Sequence, residues 1–386
     1  MKAMRVWCSL EPGVVDISAV CLCFLFAARA PAQQPGIVGF VDNGKAVFTT
    51  FEAPGAGSGA AQGTTAVCIN KAGAIAGNYV DASNVYHGFV RAPSGAIATF
   101  DVSGAGTGPR QGTVGESINA AGTIAGFYYD GNSAAHSFVR APSGVITTFD
   151  APGAGTGAGK GTSAVSIDNA GAITGLYVDA SDVHHGFLRS PSGVITTFDA
   201  PGAGTGTNQG TVPTGINSAG VIVGVWDDAT YVSHGFTRSA GGSFTSFDAP
   251  GEGTAAGQGT EAYAINAAGT VTGFLFNSSN VVFGFLRSAS GAFTTFSAPG
   301  AGTAPNQGTL PESINAAGDI TGGYFKANVN HAFVRSAGGV ITQFQAPGAG
   351  TAAGQGTVGL AINAAGAIAG YYVDPTNVIH AFLRTP

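Results

Sequence analysis

Histidines and carboxylates recur along this chain fourteen residues apart, a spacing that suits two side chains facing each other across a short hairpin. His87 precedes Asp101 in this way, and a Pro-Ser-Gly turn with a one-residue bulge at the glycine would set them opposite each other. The same arithmetic pairs His136 with Asp150, His185 with Asp199, His234 with Asp248 and His331 with Gln345, whereas Phe283 faces Ser297. We interpret the His–acid pairs as structural cross-strand contacts worth about 0.2–1 kcal/mol each, and we assign no catalytic residue.

A second set of carboxylates follows another recurring strand-like run. Its members are Asp81, Asp130, Asp179, Asp228 and Asp374. A ring of carboxylates could hold a divalent cation through oxygen ligands. However, each aspartate opens a short turn in which its side chain can cap its own backbone, and Lys326 stands at one equivalent position. The pattern favours turn capping over a metal site and leaves the cation as the alternative.

Arginine closes a third run of strand residues in each repeat, at Arg91, Arg140, Arg189, Arg238, Arg287, Arg335 and Arg384. A guanidinium has five donors, which favours contacts with turn carbonyls or a neighbouring loop over an anion-binding ring. One further run carries an aromatic residue in mid-strand, as at Tyr177 and Trp226, which favours core packing over sugar stacking. The segment 155–161 resembles a phosphate-binding loop but has Gly161 where Ser or Thr must follow Lys160. We therefore predict no cofactor.

The elements that position these residues form a unit of about 49 residues that occurs seven times. The seven arginines are spaced by 49 residues, except for one step of 48. One unit holds four short runs of strand composition: 162–167, 172–178, 185–189 and 194–198. Turn residues separate them, and a longer Gly-rich loop leads to the next unit. Three hairpins and one long return per repeat are typical of a β-propeller blade.

The prediction is therefore an all-β fold, a seven-bladed β-propeller of four-stranded antiparallel blades. Residues 33–386 would form a single domain of seven repeats. A solenoid is the alternative, but its coils need strands in parallel register rather than a hairpin at every short turn.

The repeat also resembles a known family. The triplets His331-Ala332-Phe333 and His380-Ala381-Phe382 accompany stretches such as Ile314-Asn315-Ala316-Ala317-Gly318 and Ile362-Asn363-Ala364-Ala365-Gly366. These motifs resemble the bacterial extracellular HAF-repeat family, over essentially all of residues 36–386. Most other repeats carry His-Gly-Phe or His-Ser-Phe instead. The resemblance implies export and a repeat β fold, and it supplies no catalytic residues.

The N-terminal segment has the pattern of a secretory signal. Lys2 and Arg5 precede the apolar run 17–28, and Ala30-Pro31-Ala32 offers a cleavage site. Residues 1–32 are predicted to be removed near Ala32, which gives a secreted, periplasmic or extracellular product. Cys8, Cys21 and Cys23 lie in this leader. Cys68 is then the one cysteine left, so the mature chain can form neither an internal disulfide nor a cysteine zinc site.

The chain ends soon after His380, so the last repeat lacks its fourth strand. The N-terminal run Val47–Phe51 has the composition of that missing strand, and Glu52 follows it where the acid belongs. We predict that Val47–Phe51 closes the ring beside His380–Arg384, with Glu52 near His380. The strand Ile37–Val41 would then be surplus to the last blade.

Composition limits the classes of function. The chain has 15 basic and 21 acidic residues, a formal net charge of −6 and no basic run, which argues against nucleic acid and anionic membranes as partners. The near-equality of the repeats argues against a catalytic centre. We predict a monomeric, non-enzymatic module that binds a protein or glycan ligand or serves as a scaffold of the cell envelope or extracellular space. The alternatives are a multivalent lectin-like binder and a propeller hydrolase or lyase with its site at one mouth of the central channel.

Overall fold

The computed structural model describes residues 46–386, which form strands joined by turns and loops. The predicted signal peptide 1–32 and the predicted strand Ile37–Val41 lie outside the described residues. Within this part of the chain, no helix is long and apolar enough to cross a membrane. The strands are β1 (Val47–Phe51), β2 (Gly63–Ile69), β3 (Ile75–Val80), β4 (Tyr86–Arg91), β5 (Ile97–Phe100), β6 (Gly112–Ile118), β7 (Ile124–Tyr129), β8 (Ala135–Arg140), β9 (Ile146–Phe149), β10 (Gly161–Ile167), β11 (Ile173–Val178), β12 (His184–Arg189), β13 (Ile195–Phe198), β14 (Gly210–Ile216), β15 (Ile222–Asp227), β16 (Ser233–Arg238), β17 (Phe244–Phe247), β18 (Gly259–Ile265), β19 (Val271–Phe276), β20 (Val282–Arg287), β21 (Phe293–Phe296), β22 (Gly308–Ile314), β23 (Ile320–Lys326), β24 (Val329–Arg335), β25 (Ile341–Phe344), β26 (Gly356–Ile362), β27 (Ile368–Val373) and β28 (Ile379–Thr385).

Successive strands pair antiparallel within each repeat, so that β2 pairs with β3, β3 with β4, and β4 with β5. The last repeat takes three strands from the C-terminus, β26 to β28, and its fourth from the N-terminus. Phe51 of β1 lies opposite Ala381 of β28, and Val47 lies opposite Thr385. The N-terminal strand thus occupies the closing position that the sequence predicts.

The strands do not divide into the seven separate four-stranded blades that we predicted. The third strand of each repeat makes one parallel bridge with the first strand of the next, as Ala135 does with Gly161. Twenty-one strands therefore form one closed set, and seven outer strands attach to it from outside. Glycine permits this bridge, since Gly161 has a φ of 113° and a Cβ there would lie 2.0 Å from the Ala135 carbonyl oxygen. An all-β propeller fold is confirmed, and its blades are joined into one continuous sheet.

The core lies between neighbouring repeats. The third strand of each repeat carries one phenylalanine with no exposed surface: Phe89, Phe138, Phe187, Phe236, Phe285, Phe333 and Phe382. Phe187 packs edge-on against Phe149 from the outer strand of the preceding repeat, with 5.9 Å between the ring centroids. Burial of a phenylalanine contributes about 1.5–3 kcal/mol, so each repeat depends on the outer strand of its neighbour.

In six of the seven repeats an asparagine in the turn after the first strand connects neighbouring repeats. Asn266 Oδ1 accepts the backbone N–H groups of Ala268 and Thr270, both at 3.0 Å, and so caps its own turn. Its Nδ2 donates to the Asn315 carbonyl of the next repeat at 3.2 Å. The series continues around the ring through Asn70, Asn119, Asn217, Asn315 and Asn363, and Asn363 donates back to the carbonyl of Asn70. Asp168 interrupts it, because a carboxylate has no N–H to donate.

Removal of residues 33–52 should destabilise the whole ring, because it takes away β1 with Phe48 and Phe51. These two rings are half-buried, so each contributes at most the roughly 3–5 kcal/mol of a core aromatic residue. The pairing of β1 with β28 is lost as well, and we expect the melting temperature to fall by roughly 10 °C with a broader transition. Calorimetry on the two chains measures this. A chain that begins at residue 46 is the matched control because it retains β1 and Glu52. An unchanged transition after removal of 33–52 would contradict closure by β1.

Exchange of asparagine and aspartate in the first turn should change stability in opposite directions at two positions. Asn266→Asp keeps the turn cap but removes the donor to Asn315, and should cost about 1–3 kcal/mol because a buried carbonyl then faces a carboxylate. Asp168→Asn supplies the missing donor toward the next repeat and should contribute roughly 0.5–1.5 kcal/mol. Chemical denaturation of both variants tests the pair. A loss of stability in Asp168→Asn would argue against the inter-repeat bond.

Candidate functional site

The structure brings each predicted histidine–acid pair into hydrogen-bonding contact. His87 Nδ1 lies 3.0 Å from the Asp101 carboxylate. The corresponding distances are 2.9 Å for His136–Asp150, 2.9 Å for His185–Asp199, 2.8 Å for His234–Asp248 and 2.6 Å for His380–Glu52. His331 meets Gln345 Nε2 at 2.8 Å. The fourteen-residue spacing therefore reflects one hairpin register used in every repeat, and in the last repeat β1 supplies the acid.

A second carboxylate faces the other ring nitrogen, which the sequence reasoning did not foresee. His87 Nε2 lies 3.5 Å from Asp81 Oδ2. The equivalent contacts measure 3.8 Å for His136–Asp130, 3.6 Å for His185–Asp179, 3.8 Å for His234–Asp228 and 3.3 Å for His380–Asp374. The two sets of acids that we treated separately thus belong to one acid–His–acid cluster in each of five repeats.

The strand-end aspartates also cap their turns, as the preferred interpretation requires. Asp81 Oδ1 accepts the backbone N–H groups of Ser83 at 2.8 Å and Val85 at 2.9 Å. Burial acts to raise the pKa of Asp81, but these two N–H groups and the His87 imidazole together hold that pKa below its ordinary value of 3.8. The same opposition lowers the pKa of Asp179, Asp228 and Asp374. These carboxylates are charged at neutral pH and already have partners.

The mid-strand aromatic rings lie beneath the histidines. Tyr177 stacks on His185 with 4.8 Å between ring centroids and 19° between ring planes, and 8% of Tyr177 is exposed. The same stack joins Trp226 to His234 at 4.2 Å. A sugar cannot stack on a ring face that a histidine already covers. The aromatic position therefore serves packing, as the core interpretation states.

The repeat arginines lie between repeats rather than in an open ring. The Arg189 guanidinium lies 4.9 Å from the centroid of the Phe149 ring, which belongs to the preceding repeat. Each of the other six, Arg91, Arg140, Arg238, Arg287, Arg335 and Arg384, lies 4.5–5.0 Å from the equivalent ring. The expected turn-carbonyl contacts are weaker, with Arg189 Nη1 at 3.5 Å from the Ser190 oxygen. Stacking on the neighbouring phenylalanine is the contact that sequence reasoning missed.

One repeat adds a third acid to its cluster. Glu252 stands where the other repeats have alanine, and its carboxylate, Asp248 and His234 offer ligand atoms within 4.8 Å of one another. Burial first, and the Asp248 charge second, raise the pKa of Glu252 against the hydrogen bond from Thr260. The carboxylates already accept hydrogen bonds from His234 and Thr260. This group is a possible cation position rather than an open site.

A central cavity of about 210 Å³ is lined by residues that differ from one repeat to the next. The first strands contact one another in a ring, with β2 beside β6 and β26 beside β2. The fifth residue of each first strand lines the cavity: Val67, Glu116, Val165, Thr214, Tyr263, Glu312 and Leu360. Two carboxyls, one phenol and one hydroxyl therefore share this space with three apolar side chains. These seven residues are the candidate functional site.

The two cavity carboxyls lie in surroundings that disfavour their charge. Burial raises the pKa of Glu116 to about 7. Burial also raises the pKa of Glu312 to about 8, although a hydrogen bond with Tyr263 acts in the opposite direction. The lining contains no lysine, arginine or histidine that could neutralise them. Carboxyls that titrate near neutral pH within a cleft are typical of functional sites.

Sequence reasoning missed this cavity because it compared motifs that recur. The informative feature was a position that varies, since the fifth residue of the first strand is one of five different residue types across the seven repeats. A glutamate at that position in β6 and β22 stands among strand residues that are otherwise apolar or hydroxylated. A binding site on the axis needs residues that differ between the repeats, because every repeat contributes one residue to it.

Known structures share the fold. Virginiamycin B lyase from Staphylococcus aureus is 13% identical, with a TM-score of 0.55 over 89% of this chain and 100% of that one. The β-propeller domain of the Trilobed protease from Pyrococcus furiosus is 9% identical, with a TM-score of 0.56 over 85% of this chain and 94% of that domain. The BP39L lectin from Burkholderia pseudomallei is 10% identical, with a TM-score of 0.52 over 83% and 95% of the two chains.

These similarities establish a β-propeller fold and nothing about activity, because propellers of this kind include a lyase, a protease domain and a lectin. No model of a known protein family matches the chain, and no curated protein matches it in sequence. Function must therefore be argued from the site.

Acid should weaken the fold through the strand-end aspartates. The pKa of Asp81, Asp179, Asp228 and Asp374 is lowered on folding, so their contribution is complete above pH 3.8 and is lost as the pH falls through the folded pKa. We expect the free energy of unfolding to decrease below about pH 4.

Asn277 already makes the same two backbone bonds without a charge, so Asp→Asn at the four positions is the matched variant. It should be less stable at neutral pH and lose less stability in acid than the parent chain. Denaturant titrations between pH 2 and 7 measure the free energy of unfolding of both chains. An equal pH dependence in the two chains would contradict the assignment of this acid sensitivity to the four aspartates.

Proposed function

We propose that this chain is a secreted, non-enzymatic β-propeller that binds a ligand in its central cavity, as a binding or scaffold module of the cell envelope or extracellular space. In this proposal the seven repeats act as seven blades that surround one axial site. The observation that carries it is the contrast between the repeated polar residues and the cavity residues. His185, for example, already has two carboxylate partners and a stacked ring, whereas Glu116 and Glu312 line open space.

The charge and the turn chemistry support the same conclusion. A net charge of −6 with no basic run does not suit nucleic acid. The recurring carboxylates cap turns and contact histidines, so they are poor candidates for a repeated binding site on the outer face. A lectin-like arrangement with one sugar site per blade would need accessible aromatic faces, and Tyr79, Tyr128 and Tyr177 are buried.

Catalysis at the same cavity is the second candidate, and one observation favours it. The Glu312 carboxyl, whose pKa burial raises to about 8, is protonated at neutral pH and could donate a proton as a general acid. A hydrolase or lyase would then require a second group that acts as base or nucleophile, and Glu116 is the available carboxyl. Turnover that disappears in Glu312→Gln while ligand binding persists would favour this candidate over simple binding.

A cavity-filling variant tests the binding proposal. Val165 lines the cavity, so Val165→Trp should occupy the space in which a ligand would bind. Val194 of the same repeat is 65% exposed, and Val194→Trp is the matched control. A thermal-shift screen of amines, carboxylic acids, alcohols, sugars and metal ions should identify compounds that stabilise the parent chain. Ligand at one hundred times its dissociation constant adds about 2.7 kcal/mol.

We expect the stabilisation to be retained in Val194→Trp and lost in Val165→Trp. Stabilisation that persists in Val165→Trp would place binding elsewhere and contradict the proposal. Saturable sugar binding at several sites per chain would replace it with the lectin-like alternative, since multivalent binding needs a site in each repeat.

A further inference from the structure

The central cavity has acidic and apolar walls and no positive charge of its own. Glu116 projects from β6 and Glu312 from β22, and Tyr263 from β18 adds a phenol. Val67, Val165 and Leu360 supply hydrocarbon surface at the same level. A site of this composition matches a ligand with a charged head and an apolar body, since each part then finds its own kind of surface.

Burial makes an unpaired carboxylate in this cavity costly. Glu312 is 8% exposed, and an ionised group removed from water without a partner charge is strongly disfavoured. A proton is one way to remove that cost, and a bound cation is another, because an opposite charge nearby favours the ionised carboxylate. The cation and the proton should therefore compete for the same oxygens.

We propose that the central cavity binds a compact organic ammonium ion, with its charge at Glu116 or Glu312 and its alkyl body against Val67, Val165 and Leu360. This inference rests on the proposed function and specifies its ligand class. A cavity of about 210 Å³ has room for several groups of the size of a water molecule. A short alkylammonium of five to seven heavy atoms fits at that scale, either as a free amine or as the side chain of a lysine on a partner.

Binding should release protons and should tighten as pH rises. The groups that face the site are Glu116, Glu312 and Tyr263, with Cys68 close to Glu116. Burial raises the pKa of the two glutamates to about 7 and about 8, so the free protein holds protons there below pH 7. An ammonium ion remains charged across this range, since its pKa is about 10. Affinity for it should therefore increase between pH 6 and pH 8.

Calorimetric titration with n-pentylammonium tests the proposal, with 1-pentanol and pentanoate as neutral and anionic ligands of matched length. A comparison of buffers with different ionisation enthalpies gives the number of protons released. The amide of Nα-acetyl-lysine distinguishes a peptide-borne ammonium from a free amine. We expect n-pentylammonium to bind with proton release and both other five-carbon probes to bind at least about tenfold more weakly.

Glu116→Gln and Glu312→Gln keep the shape of the side chains and remove the charge. The double variant should lose at least about tenfold in affinity for n-pentylammonium, together with its proton release. Glu261→Gln is the matched control, because Glu261 lies on the same strand as Tyr263 but does not line the cavity. The melting temperature of each variant shows whether it is folded.

Three results would overturn the ammonium proposal: equal binding of 1-pentanol, unchanged affinity in the double glutamine variant, or no binding of either amine probe. If another compound class binds and Val165→Trp abolishes that binding, the ligand class is wrong while the proposed binding function stands. If no compound in the thermal-shift screen depends on Val165, the binding function itself is wrong.

Discussion

The contact between neighbouring first turns is the interaction on which the rest of the fold depends. One asparagine side chain caps its own turn with Oδ1 and donates from Nδ2 to the next repeat, as Asn266 does to Asn315. Each donor is buried, with Asn266 6% exposed, so a missing partner would leave a costly polar group. Asparagine suits this double task because its amide carries an acceptor oxygen and a separate N–H donor on two different atoms.

The other repeated polar residues also make contacts within the protein. In five repeats a histidine lies between two carboxylates, as His185 does, and each of the seven repeat arginines stacks on a phenylalanine of the preceding repeat. In a chain with 36 charged residues among 386, these internal contacts engage a large share of the charges. Two further carboxyls, Glu116 and Glu312, line the central cavity.

The sequence predicted what depends on hairpin register and missed what depends on the neighbouring repeat. The pairing of His87 with Asp101 and of β1 with β28 follows from counting along strands. The stacking of Arg189 on Phe149 and the bond from Asn266 to Asn315 cross between repeats, so their geometry requires the ring itself. The division into separate blades was wrong for the same reason, since the parallel bridge at Gly161 joins adjacent repeats.

The axis is the place where a repeat protein can build a site with unlike walls. Away from the axis, a substitution in one repeat changes one local environment, as Glu252 does beside His234. At the fifth position of the first strands, seven independent substitutions face one cavity, so each repeat contributes one part of a single site. In this chain the framework contacts lie between the repeats and the variable residues line the cavity inside the ring, so the cavity residues can differ without altering the framework contacts.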